Sequence, residues 1–249
     1  ELRQELEFDP TGKELALIAA TKATLMAADL AGSALHQKLD DPDQWLVERI
    51  GRTLNRNQLE QIVATKICGQ KLRSFQKELR DSESKTVLAE AGCGSGKTAG
   101  AYLWASRQAQ DKRLFFCYPT TTTASEGFSG YMQDPDFDAI LMHSRATIDY
   151  RLLVNMPLPN HEENELRQAG LEALEAWPMP AVVCTTHTVL GILENVRRSL
   201  YTWPSLVQSV FVFDEIHAFS DRLFSYLLRF LKVFTGAEVL LMTATLQPT

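Results

Sequence analysis

One stretch constrains this chain more than any other. TVLAEAGCGSGKT carries an apolar, β-rich segment into a loop with glycine at 92, 94 and 96, and then into a helix beginning near Lys97. A strand, a glycine-rich loop and a helix N-terminus in that order gather backbone N–H groups around one point, and the helix dipole adds to their attraction for an anion. That is the composition of a phosphate cradle. Gly92, Cys93, Gly94, Ser95 and Gly96 would form its wall, Lys97 would reach the outer phosphates of a nucleotide, and the Thr98 hydroxyl would ligate Mg²⁺. Ala91 stands where the GxxxxGK[ST] pattern begins with glycine, a small departure with three glycines following. The alternative is a flexible Gly/Ser turn, and the flanking strand and helix weigh against it.

The rest of the chain must say what the phosphate is for. After Ser84, apolar runs KTVLAEA, RLFFCYP, AVVCTT, SVFVFDE and AEVLLMTAT alternate with helical stretches. Alternation of that kind predicts βαβ units and an α/β fold with a mostly parallel sheet, and the near-continuous apolar runs predict strands covered on both faces. Before Ser84 the pattern is helical. Thr11 with Glu14 fits a capping box, Asp41-Pro42 fits a helix start, and NQLEQIVATKI reads as a further helix. The expected organisation is a helical segment over 1–70 and a nucleotide-binding domain over 71–249. A helical insertion at about 144–180 contains amphipathic patterns but no strand.

Two further strand ends carry chemistry. SVFVFDEIHAF ends a hydrophobic strand in Asp214-Glu215. Ligands in open α/β sheets bind at the carboxyl ends of strands, so Asp214 is placed to hold Mg²⁺ and Glu215 to orient and deprotonate a water. Two carboxylates are needed because the metal occupies one. His217 is placed to couple hydrolysis to motion, or is simply a buried polar residue. VLLMTATL ends in Thr243-Ala244-Thr245 one helix later, so these hydroxyls should emerge beside the acids. YPTTTTASEGF and CTTHTVLG also begin at strand ends. Pro119, Thr120, Thr121, Thr185, Thr186 and His187 would then line one side of the sheet and offer donors to a phosphodiester backbone, which positions a strand without reading its sequence. Individually, each of these hydroxyls could instead be a helix N-cap.

Bulk properties add limits. The net charge of −6 argues against a protein held to nucleic acid by overall charge, though a local basic groove remains compatible with it. Cys68, Cys93, Cys117 and Cys184 form no CxxC pair, so neither a zinc site nor a disulfide framework is readable, and a cytoplasmic setting is expected. The apolar runs are strand-length, and neither a signal peptide nor a membrane span is expected.

The order of phosphate loop, DEIH and TAT resembles that of superfamily 2 helicases. LRSFQKEL lies upstream of the loop, and the resemblance implies that its Gln76 recognises adenine. With LMHSRA between the two threonine-rich motifs, and with DEIHAF and MTATLQP, residues from about 72 to 249 look like the first RecA-like domain of the signature helicase of type I CRISPR interference. That resemblance implies ATP-driven translocation on single-stranded DNA after a crRNA-guided surveillance complex has opened an R-loop. It places Gly94 to Thr98 on the phosphates, and Asp214 and Glu215 on Mg²⁺ and water. Thr120, His143, Arg145 and Thr186 fall in the DNA groove, and Thr243 and Thr245 fall between the two sites. KATLMAADLAGSAL is similar to the closing helices of the HD nuclease domain of the same family, with Asp29 matching its final metal-binding aspartate. The preceding His and His-Asp motifs do not occur in the sequence, so a helical support, or a remnant or tail of such a domain, is expected there. The nuclease would sit on a separate subunit or in a front portion of a longer protein. A second RecA-like domain, donating an arginine finger, would be needed for turnover. An RNA or DNA helicase outside CRISPR, and a docking module for a surveillance complex, are the competing readings.

Overall fold

The computed structural model describes residues 12–35, 44, 47–48, 52–92, 94–133, 137–142, 173 and 175–244. Thr11 of the expected capping box, the Asp41-Pro42 start and most of the 144–180 insertion lie outside these residues.

The sheet is built from β1 (Thr86–Glu90), β2 (Arg113–Tyr118), β3 (Ala139–Met142), β4 (Ala181–Thr185), β5 (Ser209–Phe213) and β6 (Val239–Thr243). The strand order is β1-β6-β5-β2-β4-β3, and every pairing is parallel. Parallel pairing brings all the strand C-termini to one rim, which is why the threonine-rich and acidic motifs meet there. β2 and β5 are buried along their whole length, as strands covered on both faces must be, whereas edge strand β1 alternates between exposed and half-buried positions.

Side chains alternate across the sheet, and each face has its own core. On one side Leu114, Phe116, Val183, Val212 and Met242 pack against α2 (Arg56–Ile67), α3 (Ser74–Asp81) and α4 (Lys97–Gln108). On the other, Phe115, Val182, Phe211 and Phe213 pack against α6 (Thr186–Leu190), α7 (Arg197–Tyr201), α8 (Trp203–Leu206) and α9 (Asp221–Val233). Removing a buried ring such as Phe116 or Phe213 from cores of this kind costs about 3–5 kcal/mol.

The local reasons for the helices are readable. Asn55 caps α2 by accepting from the N–H groups of Asn57 and Gln58, and Cys68 in the left-handed region ends it. Ser220 caps α9 through the Leu223 N–H. Helix α1 (Gly12–Leu35) buries Ala23, Ala27 and Ala31, one small residue every fourth position, and packs on α7 and α8. Helix α5 (Thr121–Gly127) starts on the Thr120 cap and widens into a π-helical turn, Phe128–Met132.

Two features of the sheet go beyond the sequence expectation. Strand β3, AILM, precedes the insertion and adds a sixth strand at the edge, beyond the runs counted from the sequence. And β6 lies between β1 and β5, so the acidic strand is one place removed from the phosphate-loop strand. Cys117 and Cys184, far apart in sequence, are register partners on β2 and β4 with their sulfurs 3.8 Å apart in the core. No described helix is long and apolar enough to cross a membrane.

Candidate nucleotide and nucleic-acid site

The loop after β1 turns through Gly94 (φ +70°) and Gly96 (φ +83°), both in the left-handed region that a Cβ disfavours. Gly96 has a second reason to be glycine, since a Cβ there would fall 2.6 Å from Gln76 Nε2. Helix α4 starts directly at Lys97, and its first N–H groups have no acceptor within the helix, so they are available to an anion. Side chains hold the loop by its carbonyls. Lys97 Nζ donates to Ala91 at 2.9 Å, Gln76 Nε2 to Gly96 at 3.0 Å and Arg73 Nη1 to Gly94 at 3.1 Å.

The acidic pair reaches this loop across β6. Lys97 Nζ lies 3.6 Å from Glu215 Oε1. Asp214 is buried at the end of β5, and its Oδ1 accepts the Glu215 N–H at 2.8 Å. Desolvation, and then the Glu215 charge beside it, push the Asp214 carboxyl up to about 6, against the Glu215 N–H bond and the Lys97 charge, which pull it down. Glu215 takes a left-handed backbone (φ 51°, ψ 47°), a conformation costing a non-glycine residue about 1–2 kcal/mol. That turn points its carboxylate back toward Lys97 and His217. His217 Nδ1 lies 3.2 Å from Glu215 Oε2 and 3.2 Å from Thr243 Oγ1. Whether Nδ1 donates to the carboxylate depends on its tautomer or charge. The Thr243 carbonyl accepts the Ala91 N–H at 3.1 Å, so one residue touches both the DEIH turn and the root of the phosphate loop.

The residues present suit a magnesium nucleotide. Ser95 Oγ is buried in the loop without a hydrogen-bond partner among the described residues, and Glu215 Oε2 is buried beside an imidazole nitrogen that donates only when it carries the proton. Thr98 is half-buried at the first turn of α4, and Asp214 is a buried carboxylate that a cation would compensate. Gln76 is 5% exposed, with Oε1 accepting the Arg73 N–H at 2.9 Å and Nε2 on Gly96. One N–H and one lone pair of that amide remain for a base edge.

On the same rim, Thr120 is exposed and caps α5 reciprocally with Thr123, Pro119 and Thr121 are half-buried, and His187 is exposed. Thr185 shares a hydrogen bond with Thr188. Thr186 does not offer its side chain to a groove. It is fully buried, and its hydroxyl donates to the Tyr118 carbonyl at 3.1 Å, because a buried hydroxyl must find an internal acceptor. Cys93, His143, Arg145 and Thr245 lie outside the described residues. Asp29 is exposed on α1, and among the described residues no three metal-ligating side chains gather. Sequence reasoning passed over Arg73, whose guanidinium bonds the loop and which no spacing rule singled out.

A profile of the DEAD/DEAH box helicase family matches residues 73–249. The chain is 43% identical, over 94% of its length, to a Myxococcus xanthus protein bearing the name CRISPR-associated nuclease/helicase Cas3, of which it spans 31%. It is 24% identical, over 69% of its length, to a Methanocaldococcus jannaschii protein of the same name, of which it spans 24%. The chain therefore spans about a third or less of these relatives. Among solved structures, T. fusca Cas3 superposes on 74% of this chain and 22% of its own with a TM-score of 0.52 at 20% identity, a likeness of fold. The sheet and its flanking helices are thus those of a RecA-like helicase domain, and the chain belongs to the DEAD/DEAH box helicase family.

Proposed function

We propose that this chain is the ATP-binding motor domain of a single-stranded DNA translocase acting in type I CRISPR interference. The observation that carries the reading is the 3.6 Å approach of Lys97 Nζ to Glu215 Oε1, which joins a phosphate loop to a carboxylate pair in one small volume. The CRISPR assignment is supported by the 43% identity to a protein named as a nuclease/helicase Cas3.

The loop from Gly92 to Thr98 binds the phosphates through its N–H groups, with Lys97 balancing their charge. Thr98 and Asp214 hold Mg²⁺, which with the bound ATP supplies the electrophilic phosphoryl group and neutralises its oxygens. Glu215 orients water and accepts its proton, and Gln76 contacts the adenine edge. His217, held between Glu215 and Thr243, links the state of the carboxylate to the end of β6, and Thr245 is assigned to the same link. Pro119, Thr120, Thr121, Thr185 and His187, with His143 and Arg145, hold the DNA backbone, while Thr186 braces that rim from within. Its partners are single-stranded DNA, a crRNA-guided surveillance complex and a nuclease, on its own chain or another, and its setting is the cytoplasm. The 1–70 segment serves as a helical support, and a second RecA-like domain completes the ATP site with an arginine.

The test is ATP turnover by the full-length protein, with and without single-stranded DNA or RNA. Strong stimulation by DNA, abolished in Glu215→Gln, is the expected result. Stimulation by RNA alone would replace the substrate, and unwinding undiminished in Glu215→Gln would make the domain a docking module.

A further inference from the structure

Gly127 has φ −62° and ψ −41°, ordinary right-handed helix. Nothing in that backbone requires glycine, and alanine would favour the helix by about 1 kcal/mol. The requirement lies beneath it, because a Cβ on Gly127 would fall 2.3 Å from both Cζ and Oη of Tyr118. Tyr118 has little room to yield. It is buried, and its ring stacks on Phe116 at 4.8 Å. Phe116 packs on Tyr102 at 4.9 Å, and Tyr102 on Tyr131 at 4.9 Å. Tyr131 belongs to the π-helical turn that continues α5, and Tyr102 to α4, the helix that begins at Lys97. An aromatic ladder thus seats α5 on the sheet from below and ties it to the phosphate-loop helix.

The backbone around Tyr118 reaches the other motifs. Its carbonyl receives the Thr186 hydroxyl at 3.1 Å, at the start of α6. The carbonyl before it, that of Cys117, receives the Asp214 N–H at 2.9 Å. One residue therefore meets α5 through its ring and α6 through its carbonyl, and its neighbour meets the acidic strand end.

We propose that Tyr118, seated under Gly127, is a positioning residue that sets the height of the Thr120–Thr123 turn over the sheet, and through it the grip on a nucleic-acid backbone. The inference rests on the nucleic-acid role proposed above for that turn. Gly127→Ala lifts α5 off its seat. Tyr118→Leu empties the seat. The two together exchange volume across one contact, so the double variant should recover part of what each single change loses.

The experiment uses the full-length protein, with a fluorescein-labelled oligothymidylate for nucleic-acid binding, a fluorescent non-hydrolysable ATP analogue for the nucleotide site, and thermal melting. Expected are a roughly 10-fold or greater weakening of oligonucleotide binding in each single variant, the scale of a displacement of about 1 Å in a binding group, unchanged analogue affinity, and partial recovery in the double variant. Oligonucleotide binding equal to wild type in a folded Gly127→Ala overturns the inference and leaves the nucleic-acid reading standing. So does a parallel loss of oligonucleotide and analogue binding with no recovery in the double variant, which is the pattern of general destabilisation. If the unmodified protein binds the ATP analogue and no oligonucleotide, the nucleic-acid reading fails and takes this inference with it.

Discussion

Lys97 and Glu215 approach to 3.6 Å although β6 separates the strands from which they emerge. The reach is possible because Glu215 turns back through a left-handed backbone and Lys97 folds over Ala91. The contact places a cation against two carboxylates that otherwise repel each other. Lys97→Ala removes that compensation together with the charge meant for the phosphates. Steady-state ATPase assays with the full-length protein should show kcat/KM reduced by about 10²-fold or more, the scale of losing one charge-stabilising donor in a water-poor site.

Asp214 gives a pH dependence with a definite sign. Its carboxyl titrates near 6 in the folded chain, against an ordinary value of 3.8. Between those values the folded state holds more protons than the unfolded one, so stability falls as pH rises through this window and is level above it. About two units correspond to a penalty on the order of 3 kcal/mol at neutral pH. Asp214→Asn keeps an acceptor for the Glu215 N–H and removes the charge. In EDTA at pH 8, the Asn variant should melt roughly 5–10 °C above the parent. The difference should close as pH approaches 4, and calorimetry across that range checks it.

The shared imidazole contact predicts energetic coupling. His217 Nδ1 is within 3.2 Å of both Glu215 Oε2 and Thr243 Oγ1. A double-mutant cycle with His217→Ala and Thr243→Val should return a coupling of about 0.5–1.5 kcal/mol in chemical denaturation, the net value of one hydrogen bond. Additive losses would mean that the two side chains do not interact in solution.

Thr186 separates a bracing role from a binding one. Its buried hydroxyl donates to the Tyr118 carbonyl. Thr186→Val keeps the shape and strands that acceptor, at a cost of about 1–3 kcal/mol in stability. The salt dependence of DNA binding should be unchanged, because no phosphate contact is lost. Urea denaturation and binding isotherms at several salt concentrations measure the two quantities separately.

What was legible in the sequence was whatever depends on local pattern. Five apolar runs mapped onto five strands, and because those strands are parallel, residues named only as lying at strand ends came to one rim. What depends on neighbours in space was not legible. AILM is four residues long and forms β3 only by pairing with β4 at the sheet edge. The insertion of β6 between β1 and β5 follows from chain topology, which periodicity does not encode. Gln76 and Thr186 were recognised by type and motif, yet each turns toward a partner that only the fold supplies, the Gly96 carbonyl for one and the Tyr118 carbonyl for the other. Gly127 has ordinary helical backbone, and only the fold supplies the reason for a glycine there, the Tyr118 ring beneath it.

Equilibrium binding of ATP to the full-length protein, measured with and without Mg²⁺ in the parent and in Lys97→Ala, tests the shared phosphate and metal site most directly. The account predicts binding that Mg²⁺ strengthens in the parent and that is lost or sharply weakened in the variant. Equal affinity in parent and variant, indifferent to Mg²⁺, would contradict it.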